Sequence, residues 1–243
     1  MAFLNSYDDL KRAESYSRLK FPNTYYLAYR DLPSIIFKHV CGTRALDFGC
    51  GAGRSTRFLQ HSGFEVTGID ISRDMITQAK NIDPDGDYRL IEDGDFSQIQ
   101  NSRYDLIFSG FTFDNIPHEA YRIKLFKKLA GMLNRQGKII LLESTPEIYT
   151  HEWASFSTRD FPGNKQAKSG DMVKIIMTDV EDKRPVEDII WFHEDYLNCF
   201  EAANLELLEI HKPLGKTDEP YIWINEKTIA PWVIYVLEKK AKK

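Results

Sequence analysis

The central part of the chain alternates between short apolar runs and segments with helical periodicity. The apolar runs predict buried strands, and they lie at residues 45–48, 64–72, 88–91, 104–110 and 137–144. Apolar residues recur on one helical face between residues 117 and 133, and further helices are predicted from residue 54 to about 61 and after Ser72. Strands that alternate with helices imply right-handed crossovers and a parallel sheet. We therefore predict one α/β domain over residues 1–243.

The C-terminal third predicts a small hairpin and then two more strands. Its predicted elements are a hairpin of residues 171–179 and 185–192, a helix at about 194–203, and strands at 205–211 and 229–237. A loop rather than a helix joins the last two strands, which favours an antiparallel hairpin at the sheet edge. We expect residues 145–192 to form an inserted segment that covers the substrate.

A glycine-rich turn joins the first predicted strand to the helix that follows. Its pattern is Asp-x-Gly-x-Gly-x-Gly, from Asp47 to Gly53. Alternate glycines permit positive φ and a close approach of a ligand to the main chain, and the helix N-terminus offers unpaired N–H groups. The turn therefore predicts a nucleotide or anion site. The dinucleotide fingerprint Gly-x-Gly-x-x-Gly is not satisfied, because Arg54 or Thr56 stands where the third glycine belongs.

This turn resembles the first motif of the class I S-adenosylmethionine-dependent methyltransferases. Later segments resemble the other motifs of that family, in order, between residues 45 and 144. The resemblance implies a Rossmann-like, doubly wound, mostly parallel seven-stranded sheet with an antiparallel last strand and helices on both faces. It also implies S-adenosyl-L-methionine as the cofactor and S-adenosyl-L-homocysteine as the product.

The resemblance also implies which residues hold the cofactor. The loop passes under its methionine part, and Asp47 helps to hold the ammonium group. Asp70, roughly twenty residues past the loop, matches a ribose-binding carboxylate. Ile71 packs on the adenine, whose edge lies near the acid Asp95 and the backbone N–H of Phe96. The predicted cofactor-binding residues are Asp47, Gly49, Cys50, Gly51, Gly53, Asp70, Ile71, Asp95, Phe96, Ser109, Tyr25 and Arg30.

The N-terminal segment, residues 1–42, is predicted to be a helical lid. In the functional interpretation, its tyrosines close over the cofactor and substrate, with Arg30 or Lys20 near the cofactor carboxylate. In the alternative interpretation, Tyr25 and Tyr29 only pack the helix on the sheet with their hydroxyls outward.

Two side chains are candidates for a catalytic proton acceptor. Asp114 follows the fourth predicted strand, and it either orients a substrate nucleophile or caps the helix that begins near Pro117. His151 has a side chain that titrates near neutral pH, and it is either a proton acceptor or a surface or structural histidine. Aromatic walls with a few polar groups build small-molecule pockets. The predicted substrate-binding residues are Tyr29, Phe111, Glu147 and Trp153.

Composition narrows the range of partners. A net charge of −4 over 243 residues gives no general attraction to nucleic acid or to anionic lipid, so we expect neither as a partner. Three scattered cysteines without metal-type spacing fit a reducing cytoplasm, and the N-terminus lacks the form of a signal peptide. Asp114 and Asn115 offer oxygen ligands for magnesium, but no second acid is identifiable at matching depth, so no metal is predicted.

The sequence therefore predicts a methyltransferase that acts on an oxygen or nitrogen of a small molecule. The chain lacks the Asn/Asp-Pro-Pro-aromatic stretch that exocyclic-amine methyltransferases carry after the fourth strand, which argues against methylation of bases or glutamine amides. Three alternatives stay open: a protein or RNA substrate, an NAD-dependent oxidoreductase, and a binding protein without chemistry. The missing third glycine counts against the oxidoreductase, and the acidic balance counts against RNA.

Overall fold

The computed structural model of the chain describes residues 22–99 and 103–241. Its strands are, in chain order, β1 (Arg44–Phe48), β2 (Glu65–Asp70), β3 (Asp87–Leu90), β4 (Tyr104–Gly110), β5 (Leu133–Ser144), β6 (Phe156–Ser157), β7 (Met172–Met177), β8 (Val186–Ile189), β9 (Leu205–His211) and β10 (Trp232–Lys239). Its helices are α1 (Thr24–Arg30), α2 (Leu32–His39), α3 (Arg54–His61), α4 (Arg73–Ile82), α5 (Glu119–Met132) and α6 (His193–Ala202). Short 3₁₀ turns lie at Phe113–Asn115, Pro146–Tyr149 and Pro162–Gln166.

The main sheet has the strand order β3-β2-β1-β4-β5-β10-β9. Parallel pairs join β3 to β2, β2 to β1, β1 to β4 and β4 to β5. Strand β10 runs antiparallel between β5 and β9. This arrangement confirms the predicted Rossmann-like, mostly parallel seven-stranded sheet. The chain order reverses between β1 and β4, and a ligand crevice in such sheets lies at the carboxyl ends of the strands on either side of that reversal.

Alternate side chains of the sheet face two apolar layers. In β4, Leu106 and Phe108 belong to the layer that contains α1 and α2, whereas Ile107 belongs to the layer that contains α5 and α6. This alternation follows from the two-residue side-chain period of a strand, and both sets are apolar because both faces of the sheet are covered. Helices on both faces were predicted, and this prediction is confirmed.

A second, smaller sheet occupies the predicted insertion. Strands β7 and β8 pair antiparallel, with Met172 opposite Ile189, and the two-residue strand β6 pairs with β7. The hairpin predicted from residues 171–179 and 185–192 is therefore confirmed. Val173 and Ile175 of β7 are buried in the same apolar layer as α1, so the small sheet and α1 lie on one side of the main sheet.

Two strand boundaries differ from the prediction. Strand β5 begins at Leu133, directly after α5, rather than at Gly137. Strand β10 begins at Trp232 rather than at Ile229. The delay of β10 has a local cause, because the Ile229 N–H is already bonded in a turn and Pro231 has no N–H to donate to a ladder.

The described part of the N-terminal segment is helical, as predicted. Pro33 lies in the first turn of α2, where a proline costs no helical hydrogen bond. The preceding helical piece and Lys20 fall outside the described residues. Within the ranges that the structure describes, no helix combines the length and the apolar character needed to cross a membrane.

Gly53, at the start of α3, occupies a position that requires glycine. Its φ is 78°, and a Cβ atom there would lie 2.6 Å from the hydroxyl oxygen of Tyr88. We expect Gly53→Ala to lower the free energy of unfolding by about 1–3 kcal/mol, because left-handed backbone strain and steric overlap add together. Urea unfolding curves measure this change.

Gly131, in the last turn of α5, supplies the matched control. A Cβ atom at Gly131 would meet open space, so Gly131→Ala is expected to raise the free energy of unfolding by about 0.5–1 kcal/mol through helix propensity. A Gly53→Ala protein as stable as the wild type would contradict the steric assignment.

Candidate functional site

The glycine loop between β1 and α3 has the conformation that its pattern predicts. Gly49, Gly51 and Gly53 have φ values of 73°, 52° and 78°. The N–H groups of Gly49 and Cys50 both donate to the Ile69 carbonyl, at 2.9 and 3.0 Å, which ties the loop to the end of β2. The loop therefore lies across the carboxyl ends of the first two strands and leads directly into the N-terminus of α3.

Cys50 is a packing residue within this loop. Its side chain is buried and contacts an apolar cluster with Ile76, Ala79 and Tyr88. Burial, together with the nearby charges of Asp70 and Asp47, raises the pKa of the Cys50 thiol well above its usual range. A thiol that stays protonated is a poor nucleophile, so the Cys50 side chain packs the loop and is not a candidate nucleophile.

Asp47 is a buried carboxylate with one unpaired oxygen. Its Oδ2 atom accepts hydrogen bonds from the hydroxyls of Ser55 at 2.7 Å and Thr56 at 2.6 Å. Its Oδ1 atom is buried and has no hydrogen-bond partner within the described residues. Burial raises the pKa of Asp47 to about 6, although the two hydroxyls oppose that rise. A buried acceptor without a partner is rare in native proteins, and a bound cation would satisfy it.

Asp70 stands at the carboxyl end of β2 and faces the same loop. Its Oδ2 atom accepts the Gly51 N–H and its Oδ1 atom accepts the Ser72 N–H, each at 2.8 Å. Ser72 in turn caps α4, because its hydroxyl accepts the Met75 N–H at 3.3 Å. These two bonds hold the Asp70 carboxylate in a fixed position beside the glycine loop. The neighbouring Ile71 side chain is 38% exposed, which leaves an apolar surface next to the carboxylate.

Of the two residues predicted near the adenine edge, Asp95 is exposed and Phe96 is buried. The exposed Asp95 carboxylate accepts hydrogen bonds from the N–H and hydroxyl of Ser97, and these bonds lower its pKa. The Phe96 ring is buried 6.0 Å from the ring of Phe48, so only its main chain is placed to meet a ligand. Ser109, in β4, is fully buried, and its hydroxyl has no hydrogen-bond partner in residues 22–99 and 103–241.

A cavity of about 70 Å³ adjoins the carboxyl ends of β4 and β5. Its aromatic walls come from α1, the turn after β4, the insertion and β10, and they are Tyr25, Phe111, Tyr149, Phe156 and Trp232. Its charged lining consists of Arg54, Asp114 and Asp188. Phe111 has a φ of 59°, an unusual value for a residue other than glycine, and such strain is often found at functional sites.

Asp114 connects the cavity to a buried polar cluster. Its Oδ2 atom accepts the Ser144 N–H at 3.1 Å, and its Oδ1 atom accepts the Tyr196 hydroxyl at 3.2 Å. Burial raises the pKa of Asp114. Helix α5 begins at Glu119, with His118 as the preceding residue, so the structure does not support Asp114 as a cap of that helix.

Glu143 and Arg122 lie beside Asp114 and are fully buried. Burial and the charge of Asp114 raise the pKa of Glu143 well above its usual range, which favours the protonated form of this carboxyl group. The Arg122 guanidinium lies between the rings of Trp191 and Tyr196, with its central carbon 4.3 Å from each centroid. Its positive charge opposes the rise in the pKa of Asp114.

The structure brings only part of the predicted substrate and lid residues to the cavity. Tyr25, Phe111 and Asp114 line it. Tyr29 is buried beside Phe58, with ring centroids 5.2 Å apart. The structure does not place Arg30 there, because its guanidinium binds Asp31 and Glu219, each at 2.7 Å.

Three residues of the insertion are also placed away from the cavity lining. Glu147 is exposed on the outer side of a 3₁₀ turn whose next two residues, Ile148 and Tyr149, line the cavity instead. His151 Nδ1 lies 3.0 Å from the hydroxyl of Thr150, the residue before it in the chain. The Trp153 side chain is buried, and its indole N–H donates to the Ile148 carbonyl at 2.9 Å.

Sequence reasoning missed Arg54 and Asp188. Arg54 is the first residue of α3, and its guanidinium carbon lies 4.7 Å from the ring centroid of Tyr25 and 5.5 Å from that of Tyr29. Its position directly after the glycine loop was a usable signal. Asp188 had none, because only tertiary packing brings β8 next to the turn after β5. No cluster of three or more His, Cys, Asp or Glu side chains suited to a metal ion occurs in the described ranges.

The chain is similar in sequence to known methyltransferases. Residues 46–141 match the protein family described as "Methyltransferase domain". An uncharacterized methyltransferase of Bacillus licheniformis is 30% identical over 144 residues, which are 58% of this chain and 63% of that protein. A ubiquinone biosynthesis O-methyltransferase of Hydrogenovibrio crunogenus is 31% identical over 118 residues, which are 44% of this chain and 49% of that protein. The chain thus spans about half to three fifths of the length of these curated relatives.

The similarity in fold covers more of the chain than the similarity in sequence does. The crystal structure of an S-adenosylmethionine-dependent methyltransferase from Clostridium acetobutylicum has a TM-score of 0.62 with this chain, covering 97% of this chain and 96% of that one at 14% identity. Residues 46–141 thus match the methyltransferase-domain family, and the fold is that of an S-adenosylmethionine-dependent methyltransferase. That neighbour depends on S-adenosylmethionine, whose ammonium group would suit the unpaired Oδ1 atom of Asp47.

The raised pKa of Asp47 makes the affinity for the cofactor depend on pH. The ionised carboxylate, which is needed to hold an ammonium group, predominates above about pH 6. As the pH falls through this value, Asp47 takes up a proton, and we expect the affinity for S-adenosylhomocysteine to fall by up to about tenfold per pH unit. Calorimetric titrations between pH 7.5 and pH 5 measure this slope.

Asp47→Asn is the decisive variant for this prediction. It keeps the shape of the side chain and an acceptor for the two hydroxyls, but it carries no titrating charge. We expect it to bind more weakly than the wild type at pH 7.5 and to show a flatter pH dependence. The exposed-residue control Asp85→Asn should keep the wild-type slope. An unchanged slope in Asp47→Asn would exclude Asp47 as the titrating group.

Proposed function

We propose that the protein is an S-adenosylmethionine-dependent methyltransferase that transfers a methyl group to an oxygen or nitrogen of a small-molecule acceptor. The observation that carries this proposal is the unpaired, buried oxygen of Asp47 at the end of β1, beside a glycine loop and across from Asp70. Asp47 provides an acceptor for an ammonium group, the loop provides main-chain groups, and Asp70 provides a second carboxylate. This sequence of groups matches a nucleoside that carries an amino acid.

Each part of the cofactor has a proposed partner. The Oδ1 atom of Asp47 accepts a hydrogen bond from the ammonium group. Arg54 and the N-terminus of α3 attract the carboxylate, through charge and through free N–H groups. Asp70 accepts hydrogen bonds from the two ribose hydroxyls, and the exposed side of Ile71 covers the adenine.

Further residues are assigned to the adenine edge and to the bottom of the cofactor site. Asp95 and the backbone N–H of Phe96 are proposed to contact the amino group and a ring nitrogen of the adenine. The Ser109 hydroxyl has no partner among the described residues, which supports the proposal that this residue lies near the bottom of the cofactor site. Tyr25, which packs under the guanidinium of Arg54, covers the boundary between the cofactor and the acceptor.

The protein contributes to this reaction mainly by positioning the cofactor and the acceptor. When bound, S-adenosylmethionine supplies an activated sulfonium methyl group for in-line displacement by the acceptor. Holding two reactants in line lowers a barrier by about 7–11 kcal/mol, and aromatic walls exclude water from the cavity. Asp114 is the proposed proton acceptor, because it lines the cavity and burial raises its pKa toward neutrality. Residues 1–42 and 145–192 are proposed to close over the two ligands.

Several observations support a small-molecule acceptor. The cavity has aromatic walls and a few polar groups, as ligand pockets for small molecules do. The net charge of −4 offers no general attraction to RNA. Three curated relatives are named ubiquinone biosynthesis O-methyltransferase.

Calorimetric titration with S-adenosylhomocysteine tests the proposal, with NAD as the competing ligand. We expect S-adenosylhomocysteine to bind and NAD not to bind. In Asp70→Asn, the affinity for S-adenosylhomocysteine should fall about tenfold or more, because charge-assisted hydrogen bonds to the ribose are lost and each contributes about 1.5–3 kcal/mol. The exposed control Asp85→Asn should bind as the wild type does.

Results opposite to these would favour one of the alternative functions, an oxidoreductase or a binding protein without chemistry. Binding of NAD but not of S-adenosylhomocysteine would overturn the proposal in favour of an oxidoreductase. Unchanged affinity in Asp70→Asn would remove Asp70 from the ribose site while leaving the cofactor assignment intact. Transfer of labelled methyl groups to a metabolite extract would then distinguish an enzyme from a binding protein without chemistry.

A further inference from the structure

The lining of the cavity next to the proposed cofactor site contains two carboxylates and one tyrosine hydroxyl, those of Asp114, Asp188 and Tyr149. Tyr149 donates its hydroxyl hydrogen to Asp188 Oδ2 at 3.1 Å. Burial raises the pKa of Tyr149, and the negative charges of Asp188 and Asp114 raise it further. The two carboxylates thus line the same cavity, although one follows β4 and the other belongs to β8.

The remaining walls of the cavity present aromatic rings. Phe111 and Trp232 have ring centroids 4.8 Å apart, and Tyr25 stacks on Trp232 at 5.7 Å. Phe156 meets Tyr25 at 5.2 Å. The face of an aromatic ring carries a negative partial charge and attracts cations, so these walls favour the same sign of ligand charge as the two carboxylates do.

Among the described residues, the basic side chain of the cavity lining is Arg54. Arg54 is the first residue of α3, next to the glycine loop, and its guanidinium lies over the rings of Tyr25 and Tyr29. We assign its charge to the cofactor carboxylate. Arg122, whose charge acts on Asp114, is not part of the lining, so Asp114 and Asp188 present carboxylates to the cavity.

We propose that the methyl acceptor is a small amine, which this cavity binds as an ammonium ion between Asp114 and Asp188 and against its aromatic walls. This inference rests on the proposed methyltransferase function and narrows the acceptor from oxygen or nitrogen to a basic nitrogen. An acidic acceptor such as a carboxylate is repelled by the same two aspartates, and an alcohol gains no ionic attraction from them.

A bound ammonium ion must lose one proton before its nitrogen has a free lone pair. In the proposed arrangement an N–H bond breaks, the electron pair stays on nitrogen, and the proton passes to the carboxylate of Asp114. The buried carboxyl group of Glu143 lies beside Asp114, and its pKa is raised by burial and by the charge of Asp114. Asp188, which is only partly buried, holds the second N–H group and acts as a positioning residue.

Three small probes with similar carbon skeletons test the proposal: isobutylamine, isobutanol and isobutyrate. Each is titrated by NMR into the protein saturated with S-adenosylhomocysteine at pH 7, where the amine carries a proton. We expect the amine to bind at least tenfold more tightly than the alcohol, and the carboxylate to bind least. Calorimetry with S-adenosylhomocysteine, run first on every protein, reports the cofactor site separately.

Asp188→Asn identifies the carboxylate responsible. It keeps an acceptor for the Tyr149 hydroxyl and removes the charge, so the preference for the amine over the alcohol should fall by about tenfold while the affinity for S-adenosylhomocysteine stays unchanged. The exposed control Asp160→Asn, elsewhere in the insertion, should keep the full preference.

The possible failures are distinguishable. If S-adenosylhomocysteine binds but the amine binds no better than the alcohol, or is not detected, the amine proposal is overturned and the methyltransferase proposal stands. An unchanged preference in Asp188→Asn likewise overturns it. If S-adenosylhomocysteine does not bind to the wild type, the proposed function itself fails.

Discussion

A single buried carboxylate, Asp47, joins the three parts of the site. It is the next-to-last residue of β1, and its Oδ2 atom binds two hydroxyls from the first turn of α3, so strand, loop and helix are held in one arrangement. Its raised pKa means that the stability contributed by this group is fully present below the ordinary pKa of an aspartate and is lost as the pH rises to about 6. At neutral pH the folded protein therefore carries an unfavourable buried charge, and a ligand ammonium group at the unpaired Oδ1 atom would offset that cost.

On the proposed acceptor side of the site, the buried ionisable groups form a cluster instead of a single carboxylate. Asp114, Glu143 and Arg122 lie within one cluster, where burial would penalise three separate charges severely. Burial and the charge of Asp114 raise the pKa of Glu143, which favours its uncharged form, and the Arg122 guanidinium lies between the rings of Trp191 and Tyr196. Asp114 is the member of this cluster that also reaches the cavity. The cluster thus fixes the position of a carboxylate at the point where an acceptor would lose a proton.

The match to the methyltransferase-domain family ends at residue 141, and much of the cavity lies beyond it. Ser144, Tyr149, Asp188 and Trp232 come from the end of β5, the insertion and the last strand. Residues 46–141, in contrast, hold the glycine loop, Asp70 and Asp114. In the proposed function, the strand ends therefore form most of the cofactor site, whereas the segments folded over them contribute much of the cavity for the acceptor.

The sequence by itself determined the main sheet, the glycine loop and the acids at the ends of β1 and β2, because strand periodicity and glycine spacing are local properties of the chain. It also placed the insertion hairpin correctly. Only the tertiary structure decided which side chains line the cavity. Arg30, Glu147, His151 and Trp153 had suitable chemistry, but ion pairing, turn geometry and core packing direct them elsewhere, and Tyr149 and Asp188 take those positions. Contacts between segments far apart in the chain leave no local pattern, since they depend on how the small sheet packs over the main one.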